Sequence, residues 1–165
     1  MLVTKRLRLR QFTYADAPFL IELLNSPGWL EFIGDKNVKT EKQAIQYLKN
    51  GPMKSYHENG FGLSLVESID NKTFIGCCGM IKRDTHETPD IGFAFLPQFQ
   101  GLGYAFEIAS ATMLYAQEQL HFTKISAITS LTNFRSIKLL EKMGFKYERA
   151  IHVSREEEEV LYYSN

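Results

Sequence analysis

Residues 91–105 read Ile91-Gly92-Phe93-Ala94-Phe95-Leu96-Pro97-Gln98-Phe99-Gln100-Gly101-Leu102-Gly103-Tyr104-Ala105. An apolar extended run, Ile91 to Leu96, leads into a glycine turn, and a helical pattern starts near Gly103. The first turn of a helix leaves backbone N–H groups without partners, and its dipole favours negative charge. The two glycines let the main chain approach a ligand closely and take positive φ where the turn needs it. A phosphate or pyrophosphate group is the ligand that such a strand, turn and helix suit. A tight strand-to-helix turn with no ligand is the other reading of this stretch taken alone.

Two common glycine motifs do not fit. A Walker loop ends in Gly-Lys-Ser/Thr, and Gly103 is followed by Tyr104. The dinucleotide fingerprint needs a third small residue at position 106, which is Phe106. What remains is the spacing Gln-x-x-Gly-x-Gly.

The pattern on either side gives the architecture. Thr4 to Phe12 alternates, with Leu7 and Leu9 between Arg6, Arg8 and Arg10, and predicts a half-buried strand whose arginines form its solvated or edge face. Thr13 and Asp16 start a helix with Pro18 in its first turn; Phe19, Leu20, Leu23 and Leu24 mark its buried face up to Asn25. Ser26-Pro27-Gly28 stops it, and Trp29 to Val38 reads as a loop or a short irregular turn. Thr40 and Gln43 form a capping box for a second helix that ends near Asn50-Gly51. Phe61 to Glu67 and Thr73 to Lys82 read as a hairpin around Asp70-Asn71-Lys72, and Pro89 to Leu96 as the next strand. A helix from Gly103 to Gln119 carries Ala105, Ile108, Ala109, Thr112, Met113 and Ala116 on one face. Lys124 to Thr129 is a strand. Asn133 caps a helix that Gly144 closes. Phe145 to Ile151 and Glu156 to Tyr163 are the last two strands, with Glu156 to Glu159 a solvated strand end.

The order is β-α-α-β-β-β-α-β-α-β-β. It describes an α/β fold with a mixed, mostly antiparallel seven-stranded sheet and helices on both faces, in one domain over residues 1–165. The glycine turn falls at the carboxyl end of a central strand, where open sheets bind ligands.

The 165 residues are 44% hydrophobic and 23% charged, with a formal net charge of zero. That balance gives no electrostatic grip on nucleic acid or anionic lipid. No apolar run approaches the ~20 residues of a membrane helix. The stretch Met1 to Leu7 lacks the apolar segment of a secretory signal, so a cytoplasmic protein is expected. Cys77 and Cys78 are adjacent in an apolar strand. A bond between them would be strained and their spacing does not suit zinc, so buried reduced thiols are expected. His57, His86, His121 and His152 are scattered, and no metal site is expected. No Gly-x-Ser-x-Gly elbow is present.

Four stretches, in this order, resemble the GNAT superfamily of acetyl-CoA-dependent N-acetyltransferases, and within it the ribosomal-protein N-acetyltransferases of the RimJ/RimL type. They are Thr4-Lys5-Arg6-Leu7-Arg8-Leu9-Arg10, then Pro89 to Pro97, then Gln98-x-x-Gly101-x-Gly103-Tyr104-Ala105 with Glu107, then Asn133 to Ser136 through Leu140 to Phe145. The resemblance implies a splayed V between the fourth and fifth strands. It implies acetyl-CoA in that V as co-substrate, with no metal. The pantetheine arm would pair with main-chain groups of Phe93 to Leu96, Phe95 and Leu96 included. The pyrophosphate would take N–H groups from Gln98, Gln100, Gly101, Leu102, Gly103, Tyr104 and Ala105. Asn133 would face the pantetheine or acetyl end.

The resemblance also implies acetyl transfer to a primary amine, either a protein N-terminus or a small molecule. Transfer needs the neutral amine, which at pH 7 is roughly one in ten of α-amines and far fewer lysines. A base or a proton path would help. Asp90 lies where the family often has Glu and is the candidate base; a solvated strand-end carboxylate is the other reading. The departing thiolate wants a proton. Where many members have a tyrosine this chain has Leu140, so Ser136 is the candidate acid, or merely a hydrogen-bond partner of the co-substrate. Trp29 and Phe32 are the candidate acceptor-binding residues, with Glu31 and His152 to Glu156 nearby in the family arrangement; Trp29 reads equally as a core aromatic. A homodimer is left open. The competing functions are a non-catalytic acyl-CoA-binding or sensing domain and a nucleotide-binding module.

Overall fold

The computed structural model describes residues 1–83, 86–152 and 159–165. Leu7 and Leu9 are buried, as the alternation predicts, but their strand is short. Thr4 closes a turn on Leu7: its N–H donates to the Leu7 carbonyl at 2.8 Å, and its Oγ1 accepts from the Leu7 N–H at 3.1 Å. The chain therefore folds back on itself. β1 (Leu2–Val3) pairs antiparallel with β2 (Leu7–Arg10), and the sheet has eight strands rather than the expected seven. The arginines of β2 and its turn are not a solvated face. Arg6 pairs with Glu107, Arg8 with Glu67 and Arg10 with Asp16, at 2.7, 3.0 and 2.8 Å.

Thr13 and Asp16 head a 3-10 turn (Tyr14–Asp16) that runs into α1 (Ala17–Leu24), with Pro18 early in the helix as predicted. Buried Asp16 accepts from the Thr13 N–H at 2.7 Å and from both Arg10 Nη atoms at 2.8 Å. Burial acts to raise its carboxyl, and the bonds from Arg10 and Thr13 outweigh it and hold it below the ordinary value. A lowered native value stabilises the fold above about pH 4, and that contribution is lost as pH falls through the native value. Urea midpoints for the native protein and Asp16→Asn should differ most near neutrality and converge as pH falls through the native value.

Ser26-Pro27-Gly28 ends α1 but also starts a helix. Ser26 is extended, Pro27 takes the first helical position, and α2 (Pro27–Phe32) follows where a loop was expected. The capping box of α3 (Glu41–Leu48) is present: Gln43 N–H donates to Thr40 Oγ1, and Thr40 N–H donates to Gln43 Oε1. Asn50-Gly51 does not end this helical stretch. A π-turn (Lys49–Met53) accommodates Pro52, whose nitrogen cannot donate, and α4 (Lys54–Asn59) continues to the left-handed Gly60.

β3 (Leu63–Ser68) and β4 (Phe74–Arg83) form the predicted hairpin, and β5 (His86–Phe95) follows. Then come α5 (Tyr104–Glu118), β6 (Ser126–Ser130), α6 (Phe134–Lys142), β7 (Lys146–His152) and β8 (Glu159–Ser164). Residues 156–158 of the expected last strand lie outside the described residues. The sheet order is β1-β2-β3-β4-β5-β6-β8-β7, antiparallel except for β5 and β6.

Period-two alternation gives the sheet two buried faces. Leu65 and Cys77 pack with α1, α2 and α3, while Val66 and Cys78 pack with α5. The two cysteines thus face opposite cores. No helix among the described residues is long and apolar enough to cross a membrane.

Candidate active site

β5 and β6 share one register pair, Asp90↔Ser126. Beyond it β5 stays on β4 as far as Gly76↔Phe95, and β6 stays on β8 from Ser126↔Ser164 to Ser130↔Val160. The two strands therefore diverge into a V that opens toward Phe95 and Ser130. The extra N-terminal strand makes them the fifth and sixth strands, not the fourth and fifth. Ser126 Oγ closes the apex by donating to the carbonyls of Thr88 and Pro89 at 3.2 and 3.3 Å.

Backbone alternation decides which groups of β5 face the V. Leu96 N–H donates to the Ile75 carbonyl at 3.0 Å, on the β4 side. In an antiparallel pair the next residue's groups point the other way, so Phe95 and Phe93 present theirs to the V. The Leu96 carbonyl accepts from Phe99 N–H, so both main-chain groups of Leu96 are engaged inside the protein. Phe93, and Phe95 through its N–H, are the better placed to pair with an extended ligand, since the Phe95 carbonyl accepts from a glutamine of the loop.

Past Leu96 the chain makes a 3-10 turn (Pro97–Phe99), and Gln98 is exposed. Gly101 and Gly103 have φ of +76° and +80°, in the left-handed region. A side chain is restricted differently at each. A Cβ on Gly101 would meet nothing within 4 Å, whereas one on Gly103 would lie 3.4 Å from Arg6 Nη2. The α5 ladder begins with Glu107 N–H donating to the Gly103 carbonyl, so the N–H groups of Tyr104, Ala105 and Phe106 stand outside it. The loop, Gly101 through Gly103, is exposed at the mouth of the V.

Gln100 spans that mouth, a role with no local signal in the chain. Its Nε2 donates to the Phe95 carbonyl at 2.9 Å, and its Oε1 accepts from Arg135 Nη1 at 2.7 Å. Gly28, at the start of α2, comes within 3.7 Å of the same Nε2, measured from the position of a Cβ. Gln100 thus connects the end of β5 to the start of α6 and lies near the start of α2.

On the other arm, Asn133 Oδ1 accepts the Ser136 N–H at 3.1 Å and caps α6. With that oxygen in the cap, the side-chain NH2 is the group left to offer a ligand. Ser136, in the first turn, is half-buried beside it. Leu140 is 1% exposed in the core shared with Ile108 and Phe145, so no hydroxyl stands one turn further on.

Asp90 is not a solvated strand end. It is 1% exposed at the apex and takes Arg83 Nε at 2.9 Å. Trp29 is 5% exposed and packs in the core with α1, α3 and Leu96; its buried Nε1 has no partner. Phe32 is half-buried on α2. His152 is the end of β7, while 153–156 lie outside the described residues. No group of three His, Cys, Asp or Glu side chains that could hold a metal occurs among the described residues.

Burial pushes the thiols of Cys77 and Cys78 up to about 12. A thiol there is almost wholly protonated at neutral pH and a poor nucleophile. The protein carrying Cys77→Ala and Cys78→Ala should keep most of its activity. An acetylated cysteine found by mass spectrometry during turnover would contradict this.

Main-chain donors at a helix start, beside a V lined by free strand groups, suit a ligand that carries a pyrophosphate on an amide-rich arm. A phosphopantetheine thioester is a ligand of that kind. A family model described as an acetyltransferase (GNAT) domain matches residues 6–146. The chain belongs to the GNAT acetyltransferase family, whose co-substrate is acetyl-CoA. It is 31% identical over 155 residues to YkkB of Bacillus subtilis (strain 168), an uncharacterized protein, covering 91% of this chain and 87% of the relative. An acetyltransferase structure from Agrobacterium tumefaciens superposes with a TM-score of 0.84 at 23% identity, covering 99% of this chain and 92% of the other. A structure from Vibrio cholerae, provisionally named a ribosomal-protein-serine acetyltransferase, superposes at 0.80 with 20% identity, covering 99% and 95%.

Proposed function

We propose that this chain, acting as one domain over residues 1–165, moves the acetyl group of acetyl-CoA directly to a primary amine while both are bound. The observation that carries this is the set of N–H groups outside the α5 ladder, behind two left-handed glycines at the mouth of the V. Gln98, Gly101, Leu102, Gly103, Tyr104 and Ala105 hold the pyrophosphate, and Phe93 and Phe95 hold the pantetheine amides; Gln100, whose N–H donates to the Pro97 carbonyl at 3.2 Å and whose side chain is bonded at both ends, frames the loop instead. Asn133 offers its side-chain NH2 from the other arm. Acetyl-CoA supplies an activated acyl group with a thiolate leaving group. The protein's part is to align the amine, manage its proton and protonate the sulfur. The high thiol values of Cys77 and Cys78 support direct transfer over an acyl-cysteine route.

Ser136 is the proposed proton donor to sulfur. Asp90 is the candidate for accepting the amine's proton, but its burial against Arg83 means that water must carry the proton to it. Asp90→Asn keeps the shape of the side chain. If the role is right, it removes the acidic limb of the pH–rate profile with little change in acetyl-CoA affinity. An unchanged limb would leave Asp90 as an apex anchor only.

The amine we favour is a protein N-terminus of the kind the RimJ/RimL branch acts on. The motif order and the name of the Vibrio cholerae neighbour support this choice. Trp29 packs in the core, so half-buried Phe32 on α2 is the residue left as the candidate contact for this acceptor. The test is thiol release from acetyl-CoA across a panel of ribosomal-protein N-terminal peptides, polyamines, amino sugars and small amines. Turnover of the peptides supports the reading. Turnover of a small amine alone overturns the acceptor, and silence across a wide panel despite tight acetyl-CoA binding favours the binding or sensing domain.

A further inference from the structure

The glycine loop is gripped from behind by residues about a hundred positions earlier. Glu107, in the first turn of α5, accepts from Thr4 Oγ1 at 2.7 Å and from Arg6 N–H at 2.9 Å through one oxygen. Its other oxygen accepts from Arg6 Nε at 2.7 Å. Burial works to raise the Glu107 carboxyl, and the bonds from Thr4 and Arg6 outweigh it, keeping it ionised. Fixed this way, Arg6 reaches on into the loop: Nη1 donates to the Leu102 carbonyl at 3.0 Å, and the guanidinium lies 4.4 Å over the Tyr104 ring. Its Nη2 is the atom that a Cβ on Gly103 would meet at 3.4 Å.

One bond in this set has a directional consequence. A trans peptide holds its C=O and the following N–H on opposite sides. The 102–103 peptide is trans, as are all those described. Drawing the Leu102 carbonyl toward Arg6 therefore aims the Gly103 N–H the opposite way, away from Arg6. The same contact holds the loop against the start of α5, where the N–H groups outside the ladder lie. The planar guanidinium has donors in fixed directions and holds Glu107 through Nε and Leu102 through Nη1, a spread of two nitrogens that a lysine's single nitrogen does not reproduce. Glu107 balances the charge of Arg6, so the effect on an anion comes from orientation rather than from added positive charge.

We propose that Arg6, held by Glu107, is a positioning residue that orients the phosphate loop and so sets affinity for the pyrophosphate of acetyl-CoA. This rests on the acetyl-CoA reading above. The experiment compares two donors by calorimetry: acetyl-CoA, and S-acetylpantetheine, which lacks the pyrophosphate. Arg6→Met and Arg6→Lys should each weaken acetyl-CoA about 10-fold and leave S-acetylpantetheine within about twofold, since only the first ligand uses the loop. Glu107→Gln should follow the same pattern and carries the test where an Arg6 variant does not fold, as judged by its melting curve. Equal weakening of both donors would mean a general structural role and overturn the proposal. So would native affinity in Arg6→Lys, which would mean that charge alone matters, or unchanged affinity in all three. If the unsubstituted protein fails to bind acetyl-CoA, the functional reading itself falls and this proposal falls with it. Binding by the unsubstituted protein with no response to the variants isolates the failure to Arg6.

Discussion

Gly103→Val is expected to weaken acetyl-CoA binding about 100-fold, equivalent to ~3 kcal/mol. Two costs combine. The native φ of +80° is left-handed, which costs an ordinary residue about 1–2 kcal/mol and a β-branched one more. The first carbon of the new side chain lies in ordinary contact with Arg6 Nη2 at 3.4 Å, so the second cost comes from the two methyls beyond it, added beside that guanidinium. Relief of either cost moves the loop and turns its N–H groups away from the ligand. Gly101 is the control. Its φ is +76°, but a Cβ there meets nothing within 4 Å. Gly101→Ala therefore bears the conformational cost alone, ~1 kcal/mol or about fivefold in affinity. Calorimetry on both variants, with melting curves to confirm folding, checks the order. Equal, small effects would mean that the loop does not hold the ligand.

Ser136→Ala is expected to lower kcat by about 10²-fold if its hydroxyl protonates the departing sulfur, the lower end for a general acid. If the hydroxyl only holds the pantetheine arm, the loss appears in acetyl-CoA affinity instead, at ~1 kcal/mol for one neutral hydrogen bond. Measuring kcat and the acetyl-CoA Kd on the same variant separates the two. An unchanged kcat would eliminate the acid role. Leu140→Tyr, which restores the hydroxyl usual in the family, is not expected to rescue the variant. Leu140 is 1% exposed in the core, and a larger polar side chain there overpacks it at about 1–3 kcal/mol.

The fold could be read from the chain wherever the cause is local. The capping box at Thr40 and Gln43, the alternation of Leu7 and Leu9 and the cap at Asn133 are hydrogen-bond or burial patterns within a few residues. Gly144, at φ +90°, closes α6 as its position suggested. The glycine loop belongs with them, because positive φ and an open helix start are both short-range. Local signals that admit two outcomes were misread. Ser26-Pro27 both ends α1 and opens α2, since proline is as suited to a first helical position as to a break. Asn50-Gly51-Pro52 looks like a stop, but the wider π-turn tolerates a residue that cannot donate. The turn at Thr4 that adds an eighth strand is too short to show a period.

The site was legible in part for the same reason. Gly101, Gly103 and Asn133 carry short-range signals, in backbone conformation and capping. The pairs that position them do not. Arg6 and Glu107 stand 101 residues apart, and Gln100 and Arg135 stand 35 apart. Nothing in the spacing of an alternating Arg-Leu-Arg strand distinguishes an arginine facing water from one that reaches a distant loop. Asp90 is a similar case. Its polarity suggested either solvent or catalysis, while the structure buries it against Arg83 where β5 and β6 part.

The most direct test of the central claim is calorimetric titration of the native protein with acetyl-CoA and, separately, with NAD. Tight acetyl-CoA binding, with NAD far weaker and the acetyl-CoA signal lost in Gly103→Val, is the predicted result. Binding of NAD more tightly than acetyl-CoA, or acetyl-CoA affinity that survives unchanged in a well-folded Gly103→Val, would contradict the account.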